Sequence, residues 1–166
     1  MFTTVAILGA ASPTGQALAT GLVSRPFALR LHDQDEGAAE RLAQQLKQLA
    51  PLADVEAMAC SATASWEADL VILALPLAAQ AGAAQRIAPF VTRKTVYSVG
   101  DAAPYDPSVV LPVLADLRQQ LPHSTIRRLL GAPLRSGKEL RQPNELTHWV
   151  KLLLQDAAWT GPQARY

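Results

Sequence analysis

Hydrophobic positions along this chain come in short unbroken runs, and the segments between them carry apolar residues at helical spacing. Val5–Leu8 is the first run, apolar and β-compatible, as expected of a strand buried on both faces. Small residues follow from Gly9 to Gly15, then a periodic segment that predicts a helix to about Ser24, closed by Pro26. Phe27–His32 reads as a second strand and ends on Asp33. Glu36–Ala50 puts Leu42, Leu46 and Leu49 on one helical face, and Pro51 stops it. Asp54–Ala59 predicts a third strand. Ser61–Glu67 is small and polar, with length for about one helical turn and Trp66 as a packing residue. Asp69–Leu75 is an uninterrupted apolar run after an acid, halted by Pro76. Leu77–Phe90 predicts a helix broken by Pro89, and Thr95–Val99 a fifth strand. Beyond Ala102 the pattern loosens. Pro104, Pro107 and Pro112 predict a loop over one edge, Leu111–Leu121 a short helix and Thr125–Leu130 a sixth strand. Gly131–Pro143 reads as a surface loop, and Asn144 caps a last helix with Leu146, Val150, Leu153 and Leu154 on its apolar face.

Strands alternating with helices predict an α/β fold with a doubly wound, mostly parallel sheet in a single domain. The first unit is the most specific. Strand, tight turn, helix, strand and terminal acid form the opening of a Rossmann dinucleotide-binding domain. The candidate phosphate turn is Gly9, Ala10, Ala11, Ser12, Pro13, Thr14 and Gly15, a G-x-x-S-x-x-G pattern. Gly9 permits the sharp turn, and Gly15 lets helix and strand approach closely. Ser12 stands where the related variant carries its middle glycine. Its hydroxyl either donates to a phosphate or crowds it. Pro13 suits the first turn of a helix, whose amides at Thr14 and Gly15 would face an anion. Asp33 lies roughly twenty residues beyond the turn, where a carboxylate accepts from ribose hydroxyls and repels a 2′-phosphate. With no Arg or Lys in Gln34-Asp35-Glu36, the expected cofactor is NAD(H), with NADP(H) as the alternative. The competing reading is that Asp33 caps the next helix.

A length of 166 residues fits one domain with a real core. The formal charge is +1 with no basic block, so nucleic acid is not an expected partner. One cysteine, Cys60, excludes an internal disulfide framework and a multi-cysteine zinc site, and reads as a small core residue. No apolar run approaches a membrane span and no cleavable leader precedes the first strand, so a soluble cytoplasmic protein is expected. His32, His123 and His148 have no metal-ligand spacing, and no metal site is expected. A G-x-S-x-G elbow is absent, Gly137-Lys138 lacks the rest of a P-loop, and neither Tyr97 nor Tyr105 has a lysine four residues on. The sequence thus offers a cofactor site without a recognisable catalytic acid or base, and catalytic residues stay unassigned.

The order V-A-I-L-G-A-A-S-P-T-G-Q, L-H-D, A-D-L-V-I-L-A-L-P and T-V-Y-S-V-G-D resembles deazaflavin-dependent NADP oxidoreductases. More broadly it resembles the N-terminal domains of the 6-phosphogluconate dehydrogenase-like superfamily. The segment N-E-L-T-H-W-V-K-L-L-L-Q-D-A-A-W-T-G-P is similar to the end of that reductase's nucleotide domain, whereas residues 102–143 match only loosely. The resemblance implies a pyrophosphate on Gly9–Gly15, the adenosine ribose at Asp33 and the nicotinamide beside Ala74, Leu75 and Pro76. It also implies direct hydride transfer between two bound cofactors, which needs no acid or base. The chain departs from the family at Ser12, at His32-Asp33-Gln34 in place of a Ser-Arg-Arg type of run, and in lacking the C-terminal helical domain of relatives. Two functions are therefore expected: an NAD(P)-dependent oxidoreductase, or a non-catalytic dinucleotide-binding or sensor module acting with a partner protein. A homodimer is also expected, with Trp149, Trp159 and the last helix burying against a second copy.

Overall fold

The computed structural model describes residues 3–99 and 107–128. The elements run β1 (Thr3–Leu8), α1 (Pro13–Leu22), β2 (Phe27–His32), α2 (Glu36–Leu49), β3 (Val55–Ala57), α3 (Ser61–Glu67) and β4 (Leu70–Leu73). They continue with α4 (Leu77–Ile87), a 3₁₀ turn at Ala88–Phe90, β5 (Thr95–Ser98), α5 (Pro107–Gln120) and β6 (Thr125–Arg128). The expected last helix, the loop at 131–143, Trp149, Trp159 and the residues around Gly100–Asp106 lie outside the described residues.

All six strands pair in parallel in the order β3-β2-β1-β4-β5-β6. The strand order reverses between β1 and β4. There Val5 pairs with Leu29 on one side and Leu70 on the other, and Ile7 with Leu31 and Ile72. Alternation then sorts the side chains onto two faces. Val5, Ile7, Leu29, Leu31 and Ile72 pack with Leu18 and Leu22 of α1 and Leu42 and Leu46 of α2. Ala6, Leu8, Val71, Leu73 and Val96 pack with Ala64 of α3, Ala84 and Ile87 of α4, and Leu114 and Leu117 of α5. Both faces of the central strands are covered, which is why those strands are continuous apolar runs. The expected α/β, doubly wound parallel sheet is the observed one.

Several local expectations need correction. Leu49 is 68 % exposed, because the stripe of α2 that meets the sheet is Ala39, Leu42, Ala43 and Leu46. Trp66 is also 68 % exposed; Ala64 and Ser65 are the residues α3 buries. Cys60 is not in the core but exposed at the N-cap of α3. Its thiol pKa is lowered chiefly by backbone hydrogen bonds at Thr63 and Ala62. Pro107 and Pro112 do not punctuate a loop: Pro107 opens α5 and Pro112 lies within it. A proline at the first helical position loses no bond. At Pro112 one backbone bond is lost, and burial of Val110, Leu114 and Leu117 outweighs it. The strands β3 and β4 are shorter than their apolar runs, and α1 ends at Leu22 rather than Ser24.

Polar side chains hold the periphery. Arg30 on β2 donates from both guanidinium ends to Asp54 and from Nε to Glu67 at 2.7 Å. Hydrogen bonding to Asp54 foremost raises its pKa. Lys94 ahead of β5 donates to the carbonyls of Ser65 and Trp66, both at 2.8 Å, and so satisfies the open end of α3. Among the described residues no helix is long and apolar enough to cross a membrane.

Candidate active site at the carboxyl edge of the sheet

In an open parallel sheet the crevice beyond the carboxyl ends of the strands, where strand order reverses, is the natural ligand position. Here it lies between the Gly9–Gly15 turn after β1 and Ala74-Leu75-Pro76 after β4. The structure therefore brings together the two segments singled out in the sequence. A cavity of about 350 Å³ lined by Val23, Arg25, Pro51 and Leu52 opens at the opposite edge, where no candidate residue lies.

The glycines of the turn are fixed by backbone crowding. Gly9 has φ +83°, and a Cβ there would lie 2.5 Å from the Ala74 carbonyl oxygen. A Cβ on Gly15 would lie 2.3 Å from the Gly9 carbonyl oxygen and 2.8 Å from Ala10 Cα. Gly9 thus lets β1 turn beneath the end of β4, and Gly15 lets α1 rest on the turn. Ala10 is buried, whereas Pro13 is exposed at the mouth of the helix.

Ser12 is the N-cap of α1, with φ −64° and ψ 156°. The residue before a proline favours this extended region, so no strain arises. Its Oγ accepts from the Gly15 amide at 3.0 Å. The same oxygen lies 2.8 Å from the Gly9 carbonyl and 3.0 Å from the Ala74 carbonyl, between which its single hydrogen is shared. The hydroxyl is therefore turned inward and ties the β1 turn to the end of β4. It also occupies the Gly15 amide expected to face an anion. The Ser12 amide donates to the Gly9 carbonyl at 3.1 Å.

Asp33 joins the second strand to this turn. Its Oδ2 accepts from the Ala11 amide at 2.9 Å, and Oδ1 from the Asp35 amide at 3.0 Å. It does not cap α2: Asp35 does, accepting from the Ala38 amide at 3.0 Å. The carboxylate is partly exposed beside the turn. Each oxygen retains acceptor capacity after one bond. Next to it, His32 Nδ1 lies 3.0 Å from the Met58 carbonyl, and since a carbonyl only accepts, Nδ1 carries hydrogen there. Arg41, on α2, is 68 % exposed at its side chain and sits 3.9 Å from Asp35.

No protein-family profile matches the chain, and no curated protein is similar to it in sequence. Solved structures do match. An imine reductase from Bacillus cereus superposes with a TM-score of 0.58 at 15 % identity, over 76 % of this chain and 39 % of that one. A 6-phospho-alpha-glucosidase from gut microorganisms, solved with NAD and Mn2+, gives 0.63 at 14 %, over 78 % and 39 %. Malate dehydrogenase from Cryptosporidium parvum gives 0.60 at 17 %, over 74 % and 43 %. The fold is a Rossmann fold. The chain spans about two fifths of the length of these structures.

Sequence reasoning missed one residue of this edge. Gln80 of α4 is fully buried beneath the end of β4 and bonds to the backbone of β4 and of Val99, just past β5. Its signal was present: Gln80, Ala83, Ala84 and Ile87 make up the buried stripe of α4, so a polar residue occupies an apolar position.

Proposed function

We propose that this domain binds a nicotinamide dinucleotide across the β1–β4 crevice and serves in hydride transfer. The observation that carries the reading is the bond from the Ala11 amide to Asp33, which sets an acid from the end of β2 against a glycine turn at the start of α1. That pairing serves a ligand with a phosphate at one point and a ribose diol beside it. The residues fit such a group by position and by chemistry. Gly9–Gly15 and the first turn of α1 would hold the pyrophosphate, Asp33 the adenosine ribose, and Ala74, Leu75 and Pro76 would flank the nicotinamide. A bound nicotinamide supplies the hydride; the protein supplies orientation and a surface that excludes water. The acceptor class that the sequence resemblance supports is a deazaflavin.

Asp33 favours NAD(H) over NADP(H). A carboxylate facing a 2′-phosphate costs about 1–3 kcal/mol in a partly desolvated site. Arg41, already beside Asp35, is the cation nearest to offset it on α2. Calorimetric titration with NADH and NADPH tests the reading, followed by turnover with deazaflavin, flavin and quinone acceptors. Tighter NADPH binding refutes the Asp33 assignment, and no binding of either refutes the dinucleotide reading.

The inward hydroxyl of Ser12 favours a second reading, a non-catalytic dinucleotide-binding or sensor module working with a partner protein. With Gly15's amide engaged by Ser12, an anion must compete for it. Binding without turnover on any acceptor supports this alternative.

A further inference from the structure

The Leu73 carbonyl still accepts from the Val99 amide at 3.1 Å, and just beyond that last bond one side chain joins the ends of β4 and β5. Gln80 Nε2 lies 3.0 Å from the Leu75 carbonyl, 3.0 Å from the Val99 carbonyl and 3.3 Å from the Leu73 carbonyl. Carbonyls only accept, so the nitrogen of the amide must face them. Its two hydrogens are fully used. The other end of the amide is equally committed, because Ser98 Oγ donates to Oε1 at 2.6 Å. Arg128 Nη1, at the end of β6, reaches Ser98 Oγ at 3.3 Å. The side chain thus locks the exits of β4 and β5 to each other from beneath α4.

The same exit is held from the other side. The Ala74 amide donates to the Leu8 carbonyl at 2.8 Å, and the Ala74 carbonyl is reached by Ser12 Oγ. Leu75 then packs over the glycine turn: its Cδ2 lies 2.9 Å from where a Gly9 Cβ would be. With adenosine at Asp33 beyond β2, an extended dinucleotide places its other half across the reversal point, against β4 and β5.

We infer that Gln80 is the positioning residue for the nicotinamide half of this site, holding the Leu75 and Val99 carbonyls so that the wall beside that ring keeps one shape. The inference rests on the dinucleotide reading above. Gln80 itself is fully buried, so its effect reaches the site through Leu75 and Val99.

The test compares NADH with ADP-ribose, which keeps the adenosine, both phosphates and ribose but lacks nicotinamide. Gln80→Met preserves length and removes the donors. Expected is a fall of about tenfold in NADH affinity with ADP-ribose affinity held within about twofold, since only ring contacts are disturbed. A merely structural role would lower both together, and that result, or no change in either, overturns the inference. If Gln80→Met does not fold, Ser98→Ala keeps Gln80 but removes the donor to its Oε1. The NADH-to-ADP-ribose ratio should then fall by about threefold, and an unchanged ratio overturns the inference. The parent chain separates the two failures: binding of neither ligand defeats the dinucleotide reading, whereas equal binding of both defeats only the nicotinamide seat and Gln80's part in it.

Discussion

Replacing Ser12 by glycine should tighten dinucleotide binding while slightly weakening the fold. The Ser12 hydroxyl accepts from the Gly15 amide at 3.0 Å and directs its hydrogen at the Gly9 and Ala74 carbonyls. A phosphate oxygen must displace that hydroxyl to reach the same amide. Glycine removes the competitor and the Cβ together. A hydrogen bond from a backbone amide to a charged oxygen contributes about 1.5–3 kcal/mol. Part of this is already realised with the hydroxyl, so the expected gain is about 1–2 kcal/mol, or roughly five- to thirtyfold in Kd. The cost to the fold has two parts. Glycine at an N-cap is only a few tenths of a kcal/mol worse than serine, and its extra unfolded-state freedom adds about 0.5–1 kcal/mol. For a domain of this size, roughly 1 kcal/mol lowers Tm by about 2–4 °C. Titration calorimetry with NADH and a thermal melt without ligand read the two effects separately. Ser12→Ala divides the causes, because it frees the amide but keeps Cβ. Tightening in both variants means competition for Gly15; tightening in glycine alone means crowding. Weaker binding in Ser12→Gly would refute the argument, since the hydroxyl would then be a phosphate ligand rather than a rival for the amide.

Three further outcomes concern the fold itself. Gly9→Ala should destabilise by about 2–4 kcal/mol, combining the left-handed backbone with a clash on the Ala74 carbonyl, and a denaturation midpoint within error of the parent would contradict this. Among the described residues the buried Ser65 Oγ has no hydrogen-bond partner, so Ser65→Ala should leave stability unchanged or raise it by about 1 kcal/mol in urea unfolding; a loss of that size would mean the hydroxyl is satisfied. Burial lowers the pKa of Lys94, with Asp69 opposing. The folded state therefore releases this proton before the unfolded chain does, and stability should rise with pH between the two values. Lys94→Met should flatten that rise in unfolding curves taken between pH 8 and about 10.5, the pKa of an unperturbed lysine; an unaltered slope would assign it to other groups.

The α/β class and the elements around the candidate turn are legible in the residues alone. Strands buried on both faces must be continuous apolar runs, so Val5–Leu8 and the run before Pro76 are legible without coordinates. The glycine turn and Asp33 are local features whose spacing follows from one strand–helix–strand unit. Features that depend on partners far along the chain are not legible in this way. The inward turn of the Ser12 hydroxyl is one such feature, since it depends on the Ala74 carbonyl, 62 residues away. Leu49 and Trp66 look like core residues by hydropathy, yet only the stripe that meets the sheet is buried, and each lies off that stripe. Pro112 reads as a breaker because local propensity opposes it, whereas burial of its helical neighbours is a non-local term that outweighs it. Gln80 was hidden for the same reason. A glutamine on a helix is ordinarily solvated, and its burial is tolerated here only because the ends of β4 and β5 present carbonyls and a serine that satisfy it, a condition set by strand order rather than by neighbouring residues.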